Sequence, residues 1–157
     1  MSETARILVV DDDENIRSVL TAILEDEGYV VESADTAKKG IEKSEQSFYN
    51  LALIDVRLPD IEGIELLAKM RHTKPKMRKI IITGYPTLQN AVAAVNKGAA
   101  AYVMKPFDVE KILQTIKDQL QKQKEEKSYN EAKVAEFIET RVKELEALND
   151  GAVKNRV

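Results

Sequence analysis

Apolar residues come either in short unbroken runs or at the three-to-four spacing of a helix face, and the two patterns alternate along the chain. Residues 6–10 (RILVV), 51–55 (LALID), 79–83 (KIIIT) and 102–104 (YVM) are runs without the polar-apolar alternation of a half-exposed strand. They read as strands buried on both faces, as in parallel sheets. A further strand starts at Tyr29, Val30 and Val31. Between the runs, residues 14–27 place Ile16, Val19, Leu20, Ile23 and Leu24 on one helical face, with Gly28 set to stop the helix. Thr36 is placed to cap a helix through about Gln46, with Ala37 and Ile41 inward. Leu58, Pro59, Asp60 and Gly63 punctuate a loop before Ile64, Leu67 and Met70 open a third helical period. Gly84 and Pro86 mark the next strand exit, Ala91, Val92 and Val95 a small-residue helix ending at Gly98, and Asp108 the cap of a last helix through Leu120. Five strand-helix alternations with short connections predict an α/β fold: an open, doubly wound, five-stranded parallel sheet with helices on both faces.

The pattern changes at residue 121. Residues 121–127 (QKQKEEK) are all polar, and helical spacing returns at Val134, Ile138, Val142, Leu145 and Leu148 until Gly151. The chain therefore divides into a domain at 4–120 and an amphipathic helical extension at 121–157, joined by a polar stretch. Eight basic and eight acidic residues in 121–157 make the extension no basic arm, and it is too short to fold as an output domain of its own.

With 157 residues, 43% hydrophobic and 32% charged, the chain can build one packed core. Its net charge of −3 gives no general attraction to nucleic acid or anionic membrane. The absence of cysteine excludes disulfides, thiolate metal sites and thiol nucleophiles. With no spanning apolar stretch and no basic-then-apolar N-terminus, the protein is expected in the cytoplasm and not in a membrane.

Charge matters most at the strand ends. Asp11 and Asp12 close the first run, Asp55 the third, Thr83 the fourth, and Lys105 follows the last. In open parallel sheets ligands bind at the carboxyl ends of strands, so these residues should converge. Clustered acids repel and pay desolvation unless a cation or a chemical role compensates. An oxygen-only donor set suits Mg²⁺ better than zinc or copper. A lysine beside carboxylates can hold a phosphoryl group, a threonine can donate to it, and a carboxylate can accept it as an acyl phosphate. The plainer alternative for Asp11 and Asp12 is capping of the next helix, the role that suits Asp13; Thr83 could cap likewise, and Tyr102 could be an ordinary half-buried strand residue. His72, the only histidine, reads as solvated.

Four separated motifs carry a resemblance: Val9-Val10-Asp11-Asp12; Ile54-Asp55-Val56-Arg57-Leu58-Pro59 with Gly63; Ile82-Thr83-Gly84; and Tyr102-Val103-Met104-Lys105-Pro106-Phe107. In this order they resemble the receiver domains of two-component response regulators over about residues 4–120. The resemblance implies a flavodoxin-like sheet of order 2-1-3-4-5. It implies that Asp55 is the phosphoacceptor for a sensor histidine kinase. It implies that Asp11, Asp12, Asp55 and the backbone carbonyl of Arg57 hold Mg²⁺. Thr83 and Lys105 would grip the phosphoryl oxygens, Gly84 would leave access to them, Tyr102 would be an aromatic switch coupled to Thr83, and the bond before Pro106 would be cis. The function expected is a phosphorelay switch with self-catalysed dephosphorylation and no external-substrate turnover.

Two other readings compete. The chain could be the receiver part of a longer transcriptional or signalling regulator. It could be an aspartyl-phosphate phosphatase, although such enzymes commonly carry a second acid where this chain has Arg57. A flavin module would want a glycine- or hydroxyl-rich loop where the acid cluster stands. Pairing with a second copy through the last helix and the extension is also expected, together with a downstream effector the sequence does not name. No helix-turn-helix or GxxxxGK[ST] loop is present, so these residues are not expected to bind nucleic acid.

Overall fold

The computed structural model describes residues 4–70, 72–73 and 75–154, so residues 155–157 of the expected extension lie outside the described residues. Strands and helices alternate as β1 (Arg6–Val10), α1 (Glu14–Asp26), β2 (Val30–Ala34), α2 (Ala37–Gln46), β3 (Leu51–Asp55), α3 (Gly63–Lys69), β4 (Arg78–Thr83), α4 (Leu88–Asn96), β5 (Ala101–Met104) and α5 (Val109–Lys154). The five strands form one sheet in the order β2-β1-β3-β4-β5, and every pairing is parallel. This is the flavodoxin-like, doubly wound architecture.

The unbroken apolar runs are explained by the two faces of the sheet. Leu8, Val10, Ala52, Ile54 and Ile81 pack on one face with Ala37 of α2, Ile64, Leu66 and Leu67 of α3 and Ala94 of α4. Ile7, Val9, Leu51, Leu53, Ile80 and Ile82 pack on the other with Leu20 and Leu24 of α1 and Ile112, Ile116 and Leu120 of α5. Successive strand residues point to opposite faces, and each face has helices to cover it. Fully burying one such aliphatic side chain contributes about 1.5–3 kcal/mol.

Caps set the helix starts. Asp13 accepts from the Asn15 and Ile16 amides ahead of α1, Thr36 from Lys39 ahead of α2, and Thr87 from Asn90 ahead of α4. Gly28 and Gly98 follow α1 and α4 at φ +93° and +99°, a left-handed backbone that side chains strain. At the amino end of β4, buried Lys79 donates to Leu67 O at 2.7 Å in the last turn of α3, and burial pushes its pKa down.

The register levels the carboxyl edge. Val10 pairs with Ile54, so Asp11 and Asp55 leave the sheet side by side. Asp55 pairs with Ile82, placing Thr83 one step on, and Thr83 pairs with Met104, placing Lys105 one step beyond.

The chain divides into two compact units, Met1–Gln123 and Lys124–Val157. The first holds the sheet. Its last helical residues are tied by Gln123 Nε2, which donates to Asn50 O at 2.9 Å and Lys76 O at 2.7 Å, and by Asn50 Nδ2, which donates back to Gln123 Oε1 at 3.2 Å. The second unit is helical, with local pairs such as Arg141–Glu144 at 3.1 Å and Lys143–Glu139 at 3.4 Å. Val134, Phe137, Ile138, Val142, Leu145 and Leu148 are exposed on it. Two expectations change here: α5 runs unbroken through the polar stretch 121–127 and continues past Gly151. Glutamine, lysine and glutamate are strong helix formers, so the helix persists through residues 121–127 without an apolar stripe. Among the described residues no helix is long and apolar enough to cross a membrane.

Candidate functional site

Asp11 leaves β1 with its amide on Ala34 O at 3.1 Å. Its carboxylate is 2% exposed, accepts the Asp13 amide at 2.9 Å and takes Lys105 Nζ at 2.8 Å. Asp55, at the end of β3, is 8% exposed, and one of its oxygens lies 3.6 Å from the same ammonium. Asp12 is exposed beside them, and oxygens of Asp11, Asp12 and Asp55 lie within 4.8 Å of one another. Burial raises the Asp55 pKa, and the Asp11 charge adds to that; the Lys105 charge and the Arg57 N–H pull the other way without cancelling it. Burial alone would lower the Lys105 pKa, but its hydrogen bond to Asp11 and the two acid charges raise it.

One ammonium thus faces two carboxylates, with a third clustered beside them. The donors are all oxygen, two of the acids are nearly buried and one is open to solvent. A hard cation that keeps several waters fits such a pocket. Burial first, and the Asp11 charge second, disfavour the Asp55 carboxylate, and a bound cation would offset both.

Thr83 is fully buried at the end of β4, and its hydroxyl oxygen accepts the Tyr85 amide at 3.0 Å. The competing capping role belongs to Thr87. Lys105 N donates to Thr83 O at 2.7 Å, and the Lys105–Pro106 bond is cis. A Cβ added at Gly84 would make ordinary van der Waals contact with the Lys105 side chain, 3.8 Å from its Cβ, so Gly84 lies directly against Lys105 and a side chain there would crowd no backbone. Tyr102 is half-buried against the α3–α4 side of the core, and its hydroxyl is buried with no hydrogen-bond partner. The edge therefore brings Asp11, Asp12, Asp55, Thr83, Gly84 and Lys105 to one place, with Tyr102 two strand positions before Met104, Thr83's register partner.

The β3–α3 loop, which carries Arg57, holds contacts that the sequence pattern does not announce. Gly63 N donates to Val56 O at 2.8 Å, and a Cβ at Gly63 would lie 1.9 Å from Asp55 O, so only glycine lets the loop close. The Arg57 guanidinium stacks 3.6 Å over the Tyr85 ring. Asp60, a loop-punctuating residue in the sequence, spans to α2 and accepts the Ala37 and Lys38 amides at 2.9 and 2.8 Å. The one sequence signal for it is negative: α2 has no acid in its own first turn.

The sequence model described as response regulator receiver domain matches residues 7–117. Response regulator ArlR of Staphylococcus saprophyticus is 36% identical over 118 residues, covering 75% of this chain and 53% of the relative. The transcriptional regulatory protein ZraR of Klebsiella oxytoca is 35% identical over 118 residues, 75% of this chain and 27% of the relative. The chain thus spans about half the length, or less, of these curated relatives. A CheY-like receiver domain crystal structure from Methanospirillum hungatei is 49% identical at TM-score 0.76, covering 79% of this chain and 99% of that one. The solution structure described as a beryllofluoride-activated NtrC4 receiver domain dimer is 39% identical at TM-score 0.71, covering 75% and 98%.

Proposed function

This chain belongs to the response regulator receiver family, and from that premise we propose that Asp55 takes a phosphoryl group from the phosphohistidine of a sensor kinase. One Asp55 oxygen forms a bond to phosphorus as the P–N bond breaks, and the leaving imidazole keeps the bonding pair and takes up a proton. The observation that carries this reading is the single Lys105 ammonium, 2.8 Å from Asp11 and 3.6 Å from Asp55. It stands where a third anionic group would need neutralising. Asp11, Asp12, Asp55 and the Arg57 carbonyl would hold Mg²⁺, which supplies charge neutralisation when bound.

A phosphoryl group on Asp55 adds roughly −2 charge and three strong acceptors. Lys105 pairs with its oxygens, and the missing side chain at Gly84, beside Lys105, leaves them room. Thr83 already accepts from the Tyr85 amide, which leaves its hydroxyl hydrogen free to donate. Its movement toward the phosphoryl group opens space into which the Tyr102 ring can repack, and the already buried Tyr102 hydroxyl has no hydrogen bond among the described residues to give up. Phosphorylation then shifts an existing equilibrium between two packings of the β4–β5 side. Hydrolysis of the acyl phosphate resets it without turnover of an external substrate. A phosphatase is the poorer reading, because the residue two beyond Asp55 is Arg57, stacked on Tyr85, and not a second acid.

The signal passes to a downstream effector or an attached output in the cytoplasm, and the curated transcriptional relatives favour the chain being the receiver part of a longer regulator. Residues 4–120 act as the receiver and 121–157 as its helical extension, and self-association runs through the last helix and this extension. In the test, beryllofluoride and Mg²⁺ are titrated against the protein, with acetyl phosphate as donor in parallel. A saturable response lost in Asp55→Asn is expected; no response in the wild type, or an equal one in the variant, overturns the proposal.

A further inference from the structure

The β3–α3 loop has seven residues, 56–62, between the end of β3 and the start of α3. A loop of that length has conformational freedom unless it is held, and Arg57 sits near its beginning. Its far end is closed by the Gly63 amide on Val56 O. Leu58 and Ile61 rest against the core on the side of α2, α3 and α4. Between them Asp60 is exposed, yet each of its oxygens takes one backbone N–H of another element: Ala37 at 2.9 Å and Lys38 at 2.8 Å, both in the first turn of α2.

That turn follows Ala34, whose carbonyl receives the Asp11 amide and whose strand position pairs with Val10. Asp60 therefore fastens the loop from β3 to the same corner that fixes Asp11. The bidentate Asp60 contact thus links the two sides of the acid pocket, the β1 exit and the β3 loop, behind it. Two charge-assisted hydrogen bonds to backbone donors fix geometry as well as adding strength.

We infer that Asp60 is a positioning residue for the phosphoacceptor pocket: by pinning the β3–α3 loop to the first turn of α2, it sets the loop backbone at Arg57 relative to Asp11 and Asp55. The inference rests on the receiver reading of that pocket. Asp60 does not touch the ligands. It acts on metal affinity by removing the loop's alternatives before the metal arrives. By reciprocity, a metal in the pocket tightens the Asp60 contact.

Mg²⁺ titrations followed by backbone amide NMR on the full chain test this in three proteins. Asp60→Asn replaces one acceptor oxygen by an amide nitrogen and is expected to weaken Mg²⁺ binding about three- to tenfold, less than loss of a group bonded directly to a ligand. Thr36→Ala removes the other cap of α2, the bond to Lys39 N at 3.1 Å, without touching the loop, and is expected to stay within about twofold of wild type. In the wild type, added Mg²⁺ is expected to slow hydrogen exchange at the Ala37 and Lys38 amides more than at Lys39, a readout that needs no variant to fold. Wild-type affinity in Asp60→Asn, equal weakening in Thr36→Ala, or exchange at Ala37 and Lys38 indifferent to Mg²⁺ would each overturn the positioning role while leaving the receiver reading intact. A wild type that binds neither Mg²⁺ nor beryllofluoride overturns both.

Discussion

At Asp55 burial and the Asp11 charge favour the protonated acid, whereas Lys105 and the Arg57 amide favour the carboxylate, and the net pKa lies above its ordinary 3.8. Between that value and the higher folded one, the native state holds a proton the unfolded chain has lost. Stability therefore falls as pH rises through the window, and the loss persists above the folded pKa. Asp55→Asn removes the ionisation, so in the absence of divalent ions the variant should melt higher than wild type at neutral pH, with the gap closing as the pH drops below the acid's ordinary range. Mg²⁺ at a hundredfold excess over its Kd should stabilise the wild type by about 2.7 kcal/mol and the variant by less, which thermal melts will read. Gly63→Ala drives a Cβ to 1.9 Å from a backbone oxygen. It is expected to cost at least about 2–3 kcal/mol in denaturant unfolding and to blunt the beryllofluoride response, because the neighbour that must yield is Asp55's own backbone. The acids, Thr83 and Lys105 were legible in the sequence because each ends or follows an apolar run. Asp60 and the Arg57–Tyr85 stack were not, because each joins the β3–α3 loop to a segment distant in sequence, a proximity no local pattern encodes.

Among the elements, strand existence was plain but strand faces were not. Leu8 and Ile7 are equally apolar, and only the helices above and below reveal that they serve different layers. The start of α4 was also missed: the expected helix opened on its alanines, while the structure begins it at Leu88 behind the Thr87 cap, leaving Leu88 82% exposed. An exposed leucine carries no inward period, so the pattern hid the first turn. The same gap between helicity and packing explains α5. Ile116 is fully buried and Leu145 is 51% exposed, though both lie on one helix. Ile116→Ala should cost about 2–5 kcal/mol in denaturant melts. Leu145→Ala should cost under about 0.5 kcal/mol at low protein concentration, and a loss that grows with concentration would mark burial of the stripe by a second copy.

For the molecule as a whole, stability is concentrated in a sheet covered on both sides, and the chemistry sits on the loops at one edge of it. Native-state hydrogen exchange should show this gradient. The amides of β1, β3 and β4 should exchange only through global unfolding, while those from Lys124 onward, whose side chains are exposed where described, should exchange far faster in dilute protein. Equal protection in the two units of a monomer would contradict it. The Gln123 tie has a practical side. Its two carbonyl acceptors, at Asn50 and Lys76, lie just before β3 and β4, at the amino edge, whereas Asp55 ends β3 at the other. Five strand residues at about 3.3 Å each separate the edges by roughly 16 Å. A spectroscopic label or fusion joint placed just after residue 123 would thus attach a full strand length from the phosphoacceptor, on backbone already anchored to the sheet, which makes that junction a natural place to instrument the protein without obstructing its donor.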